Sequence, residues 1–154
     1  MTSSSTRKLL VGDTSFISAL AGAGERPDLA QTWSVRMGQR LSSSTVAISS
    51  VTVAEIRYGH RISCWGERRV SAAERWLRTF VRLPVDDEVA ETWARLKAAG
   101  GRNGRTFGVN DLWIAATGCL HDVPVVTCDR GFLPMRELGV QVIYLPRTPE
   151  AGGR

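Results

Sequence analysis

The chain is poor in the residues that mark several common protein classes. Its 154 residues contain only three cysteines and two histidines. Cys64, Cys119 and Cys128 lie far apart without a CxxC pair, which argues against a zinc site and against a disulfide framework. Reduced, mostly buried thiols are the plain expectation. His60 and His121 show neither HxxxH nor HExxH spacing. Lysine is nearly missing, with Lys8 and Lys97 alone among 20 basic side chains, the rest being arginine. No apolar run is long enough to span a membrane. Arg7-Lys8 followed by residues 9–23 faintly resembles a signal peptide, but Asp13 puts a charge into the apolar segment and disfavours that reading. The expectation is a soluble cytoplasmic protein.

What is present fits one globular domain over residues 1–154, with a core at about 8–145 and a loose tail from 146 to 154. The hydrophobic share of 43% and charged share of 23% are ordinary for a globular protein. The formal net charge of +5 is compatible with a polyanionic partner, nucleic acid or an acidic protein segment.

Short continuous apolar runs alternate with helical patterns. Strands are expected at 9–11, 46–49, 82–85, 124–128 and 140–145. Helices are expected at 14–23, 27–40, from Ser49 or Ser50 to 61, at 69–80, and from Asp86 or Asp87 to 99, where Gly100-Gly101 should stop the helix. Another, capped by Asn110, carries Leu112, Ala115, Ala116, Cys119 and Leu120 on one face, and a short helical turn covers 134–138. Apolar strands separated by helices predict an α/β fold, a central parallel sheet of about five strands flanked by helices on both faces.

In such sheets ligands sit at the carboxyl ends of the strands. Asp13 follows the first strand and Asp129 the fourth. Glu55 lies about one turn into the helix after the second strand. Asp111 lies in the first turn of its helix, where the dipole favours negative charge. Each acid alone has an ordinary reading as a turn former, cap or solvated residue. Together they place four carboxylates on one rim. Such a cluster repels itself unless protons or a cation intervene. Oxygen-only donors suit Mg²⁺ or Mn²⁺, and the chemistry that follows is phosphodiester hydrolysis.

Four segments carry a family resemblance. Leu9-Leu10-Val11-Gly12-Asp13-Thr14-Ser15 resembles the opening motif of PIN domains. Residues 49–59, Ser-Ser-Val-Thr-Val-Ala-Glu-Ile-Arg-Tyr-Gly, are similar to the second motif with its single glutamate. Asn110-Asp111-Leu112-Trp113-Ile114-Ala115-Ala116-Thr117 resembles the third, and Val125-Val126-Thr127-Cys128-Asp129-Arg130-Gly131-Phe132 the fourth. They occur in family order and span nearly the whole chain. The resemblance implies a PIN fold and a Mg²⁺- or Mn²⁺-dependent endoribonuclease. It implies Asp13, Glu55, Asp111 and Asp129 as catalytic metal-site positions, with Thr14 and Thr127 as supporting hydroxyls. A stand-alone domain of this size resembles the VapC-type toxin of a VapBC toxin–antitoxin pair. That implies a homodimer, an RNA substrate and a VapB-like antitoxin that covers the acidic site. Two positions depart from the pattern. Gly12 replaces a bulkier apolar residue and is expected to loosen the strand or let backbone approach the metal, and Cys128 precedes the last acid.

Arg102 and Arg105, read as part of the loop before Asp111, are candidate RNA-phosphate contacts. Arg68, Arg69, Arg75, Arg78 and Arg82 form a second basic cluster. Trp33, Trp76 and Trp93 are expected in the core, Trp65 near the surface, and Trp113 either buried or in the cleft. The histidines read as surface or helix-end residues.

Two competing readings are weaker. Phosphatases of the haloacid dehalogenase type want Asp-x-Asp after the first strand, and receiver domains share their need for a late lysine; here the first acid opens Asp13-Thr14-Ser15 and the last lysine is Lys97. A non-catalytic PIN-like binding module usually lacks one of the acids that this chain retains.

Overall fold

In the computed structural model, residues 8–22 and 43–147 are described. The helix expected at 27–40, with Trp33, and most of the polar termini lie outside them. Five strands form one parallel sheet: β1 (Lys8–Gly12), β2 (Ser44–Ser49), β3 (Val81–Leu83), β4 (Val125–Thr127) and β5 (Val142–Tyr144), in the order β3-β2-β1-β4-β5. Among the described residues the helices are α1 (Thr14–Gly22), α2 (Ser50–Ile62), α3 (Glu67–Leu77), α4 (Asp87–Arg102), α5 (Val109–Leu120) and a 3₁₀ segment, Arg130–Leu138. No helix among them is long and apolar enough to cross a membrane.

Period-two alternation along each strand sends neighbouring side chains to opposite faces, so both faces need cover. Leu9 and Val11 pack with Leu96 of α4, with Leu112, Ala115 and Ala116 of α5, and with Phe132 and Met135 of the 3₁₀ segment. Leu10, between them in sequence, packs with Ile48, with Phe16 and Ile17 of α1, Val53 of α2 and Leu77 of α3. Helices therefore lie on both sides of the sheet.

The topology positions the site. From β1 the chain steps outward to β2 and β3, then returns to pair β4 on the other side of β1. The carboxyl ends of β1 and β4 thus flank the point where strand order reverses, the usual ligand crevice of an open parallel sheet. Asp13 N–H donates to the Val126 carbonyl at 3.0 Å, fixing the start of the first loop against β4.

Local differences from the sequence reading have plain causes. The helix expected to stop at Gly100-Gly101 continues to Arg102, because Gly100 is buried against the Phe107 ring, where a Cβ would come within 2.9 Å of Cε2. Helix α5 starts two residues earlier than an Asn110 cap would allow, with Gly108 at its N-cap. Gly12 neither loosens β1 nor opens room for a ligand: a Cβ there would stand 2.7 Å from Ile17 Cδ1 and 3.0 Å from Phe16 Cδ1. The glycine lets α1 sit close on the strand that precedes it. Past β5, where a loose tail was expected, Pro146 is buried and Arg147 donates to the Ser15 carbonyl at 3.1 Å. Of the thiols, Cys64 is exposed and Cys119 and Cys128 half-buried, rather than mostly buried; all three are free.

Candidate metal centre at the sheet edge

Asp13 does two things at once. Its Oδ1 accepts from the Phe16 N–H at 2.8 Å, capping α1, while the side chain stays 3% exposed at the end of β1. Two hydroxyls then fix the carboxylate. Thr127 donates to Oδ2 at 2.7 Å, and Ser15 lies 2.8 Å from both oxygens. Each hydroxyl is itself aimed by the loop after β4: Thr127 Oγ1 accepts from the Asp129 N–H and Ser15 Oγ from the Cys128 N–H, both at 2.9 Å. Three donors occupy most of the carboxylate's roughly four acceptor positions, leaving it oriented with little spare capacity. Burial pushes Asp13 above the usual carboxylate range, the bonds from Thr127, Phe16 and Ser15 pull against it, and the charge of Asp129 adds to the rise.

Glu55, half-buried on α2, is held at both oxygens. Thr14 at the start of α1 donates to Oε2, and Asn110 Nδ2 donates to Oε1 at 2.8 Å. Asn110, expected as a helix cap, thus serves as an acid's partner. Asp111 stands in the first turn of α5. A Cβ at Gly108 would lie 2.9 Å from Asp111 Oδ2, so the glycine leaves space that the carboxylate uses. Burial and the charges of Asp129, Asp13 and Glu55 push Asp111 from 3.8 up to about 6. Asp129 is exposed and caps the 3₁₀ segment, its Oδ1 accepting from the Gly131 N–H at 2.8 Å.

The four acids therefore share one field, which Asp111 registers most strongly. Among the described residues, no three carboxylate, histidine or cysteine side chains are gathered into a finished ion cage. The donor chemistry nevertheless fits a hard divalent cation. The charged groups are carboxylates, hydroxyls support them, and the Cys128 thiol is pushed up to about 11 by burial and by Asp13, which keeps it protonated and a poor ligand.

Alongside Glu55 runs an open groove of about 550 Å³, lined by Val51, Tyr58, Val85, Asn110 and Trp113 among others. Trp113 stacks on Trp93 with ring centroids 4.9 Å apart, so it lines the groove rather than vanishing into the core.

Of the two arginines expected in the loop before Asp111, Arg105 lies there and Arg102 does not. Arg102 ends α4 instead of lying in a loop, and Arg105 is engaged by Glu137 through bonds of 3.0 and 2.8 Å. In the other basic cluster, Arg69 lies 3.6 Å over the Trp65 ring, whose neighbour His60 is stacked at 4.4 Å and is 7% exposed. His60 is thus a packed residue, not a surface one, while His121 caps the end of α5.

Ser15, Asn110 and Arg147 were not singled out as site residues from sequence. Ser15 had a signal, since a hydroxyl two residues past a capping Asp can reach back to it. Nothing local marks Arg147, which reaches the rim from 132 residues away.

The model of the PIN domain family matches residues 10–138, and the chain belongs to that family. Within it, ribonuclease VapC5 of Mycobacterium tuberculosis is 35% identical over 99 residues, 63% of this chain and 73% of that protein. Ribonuclease VapC4 of the same organism is 32% identical over 99 residues, 62% and 75% of the two chains. Among solved structures, the VapBC-5 toxin–antitoxin complex from Mycobacterium tuberculosis contains a chain 30% identical, with a TM-score of 0.60 over 90% of this chain and 98% of that one. A chain of VapBC-1 from nontypeable Haemophilus influenzae matches at TM-score 0.71 over 89% of this chain and 98% of that one, at 21% identity, a likeness of fold.

Proposed function

We propose that this protein is a Mg²⁺- or Mn²⁺-dependent endoribonuclease acting as the toxin of a toxin–antitoxin pair. The observation that carries the reading is the field shared by Asp13, Glu55, Asp111 and Asp129 at the switch point of a PIN fold. The ribonuclease names of the relatives and the toxin–antitoxin nature of the solved neighbours support the substrate and the biological role.

Asp13, Asp111 and Glu55 would hold the ion, with Asp129 beside them. A bound Mg²⁺ or Mn²⁺ supplies an acidified water and charge stabilisation at the leaving oxygen. The chain's own residues do the rest. Ser15 and Thr127 keep the Asp13 oxygens in one orientation, so the carboxylate does not rotate as charge changes in front of it. Thr14 and Asn110 do the same for Glu55. The groove beside Glu55, with the Trp113 face and the exposed Tyr58, offers an RNA strand a surface for its bases. Inhibition would come from an antitoxin segment covering this rim, and the active form would be a homodimer.

The test is cleavage of RNA by purified protein in Mg²⁺ and in chelator. Activity is expected in Mg²⁺ or Mn²⁺, lost in chelator, and reduced at least about 100-fold in Asp13→Asn and Asp111→Asn. Undiminished cleavage in chelator refutes metal catalysis.

A further inference from the structure

The four acids create a difficulty for the substrate. A phosphodiester carries negative charge, and this rim repels it from every approach that is not screened. Of the two arginines expected to relieve this, Arg105 is engaged by Glu137 and Arg102 ends α4. A different cation is tied to the rim itself.

Arg147, just past β5, is exposed. One of its terminal nitrogens donates to the main-chain carbonyl of Ser15, in the first turn of α1, at 3.1 Å. That bond ties Arg147 to the start of α1, where Ser15 also meets the loop after β4. Ser15 Oγ sits on both Asp13 oxygens, and the Cys128 N–H donates to that same Oγ. Arg147 is thus fixed to the residue that joins the strand end carrying Asp13 to the loop carrying Asp129.

The anchoring atom is a main-chain carbonyl, so it orients the guanidinium without cancelling its charge. Among the described residues no carboxylate forms an ion pair with it, in contrast to Arg57 with Glu74 and Arg105 with Glu137. A guanidinium has five N–H donors in a planar fork suited to two phosphate oxygens. Those not used by Ser15 remain for a ligand.

We propose that Arg147 is a substrate-binding residue that holds a backbone phosphate of the RNA strand next to the scissile one. This rests on the reading of the rim as an RNA-cleaving site. The charge is tied to the residue that orients Asp13, and it is held in place before substrate arrives. An RNA phosphate is favoured over an acidic peptide because the anchor is Ser15, which itself holds Asp13.

The experiment compares Arg147→Gln, Arg147→Lys and Arg95→Gln, the last removing an equal charge from an exposed position on α4. Kinetics of RNA cleavage in Mg²⁺ are expected to show KM raised about ten-fold in Arg147→Gln with kcat changed far less. Partial recovery is expected in Arg147→Lys, which keeps the charge and loses the fork. Binding of a labelled single-stranded RNA is then titrated against NaCl in an Asp13→Asn background. There Arg147→Gln should flatten the slope of log affinity against log salt by about 0.7, the value for one phosphate contact on a single strand. Arg95→Gln should leave affinity and slope close to the parent.

Equal KM and equal salt slope in Arg147→Gln and Arg95→Gln overturn the inference. A fall in kcat and melting temperature with KM unchanged also overturns it, since that is the result for a residue that merely braces Ser15. Unchanged RNA binding with weakened affinity for an acidic peptide assigns the residue to a protein partner and overturns it as well. A parent protein that binds RNA without cleaving it contradicts the nuclease reading alone, and the binding arm still decides Arg147. A parent that does not bind RNA defeats both.

Discussion

Asp111 is the residue whose energetics most directly report the state of the site. Its proton is held until about pH 6 in the folded chain, against 3.8 for an ordinary Asp, through burial and then the charges of Asp129, Asp13 and Glu55. The folded state therefore binds this proton more tightly than the unfolded state. The stability it contributes is fully present below pH about 3.8 and is lost as pH rises through about 6. In chelator at pH 7.5 the ionised Asp111 is a liability. Asp111→Asn should then be more stable by about 1 kcal/mol after allowing for solvent screening of a half-buried group. That is a rise of about 2–4 °C in melting temperature for a chain of this size, and the gain should shrink toward pH 4. Thermal melts across that range check it, and a variant less stable than the parent at pH 7.5 would contradict the electrostatic account. Only part of this residue-level picture was legible in the sequence. The positions of the acids were, because Asp13 and Asp129 each follow a recognisable strand, Asp111 opens a recognisable helix and Glu55 lies inside another. The partners Ser15 and Asn110 were not assigned, since a side chain's choice between capping its own helix and reaching a neighbour depends on where the neighbour lies.

At the scale of elements, the strand-to-helix turn at β1 and α1 carries the most constraint. Gly12 ends the strand, Asp13 caps the helix, and Phe16 and Ile17 fold back onto the glycine with no exposure of their own. Neither side chain can swing away from an added methyl, because both are enclosed in the core on that face of the sheet. Gly12→Ala should lower stability by about 1–3 kcal/mol, seen as a drop of several degrees in melting temperature. An unchanged melting temperature would show that the turn has slack. From sequence this glycine looked like a weakness in the strand. Periodicity finds elements but does not report how closely two consecutive ones approach, and that distance is what gives Gly12 its meaning. The same limit explains α4 and α5. Gly100-Gly101 reads as a stop and Asn110 as a cap, yet packing against Phe107 carries one helix onward and Gly108 starts the other.

At the scale of the whole molecule, strand order decides the chemistry. The charges of Asp13, Glu55 and Asp129 reach Asp111 because β1 is flanked by β2 and β4, which turns the ends of β1 and β4 into a crevice. The parallel sheet with helices on both faces was readable from continuous apolar strands separated by helical segments. The order of those strands was not, because apolar runs look alike whichever neighbour they pair with. Arg147 makes the same point: it reaches Ser15 because β5 lies beside β4 and brings the residues just past it to α1.

The central claim is that these carboxylates form one site for a hard divalent cation. The most direct measurement is Mn²⁺ binding, followed by electron paramagnetic resonance at pH 7.5, in the parent and in Asp13→Asn, Glu55→Gln and Asp111→Asn. Saturable binding is expected in the parent, weakening as pH falls through about 6 where Asp111 takes up its proton, with each substitution lowering affinity at least about ten-fold. Mn²⁺ affinity that is the same in all four proteins would contradict the claim.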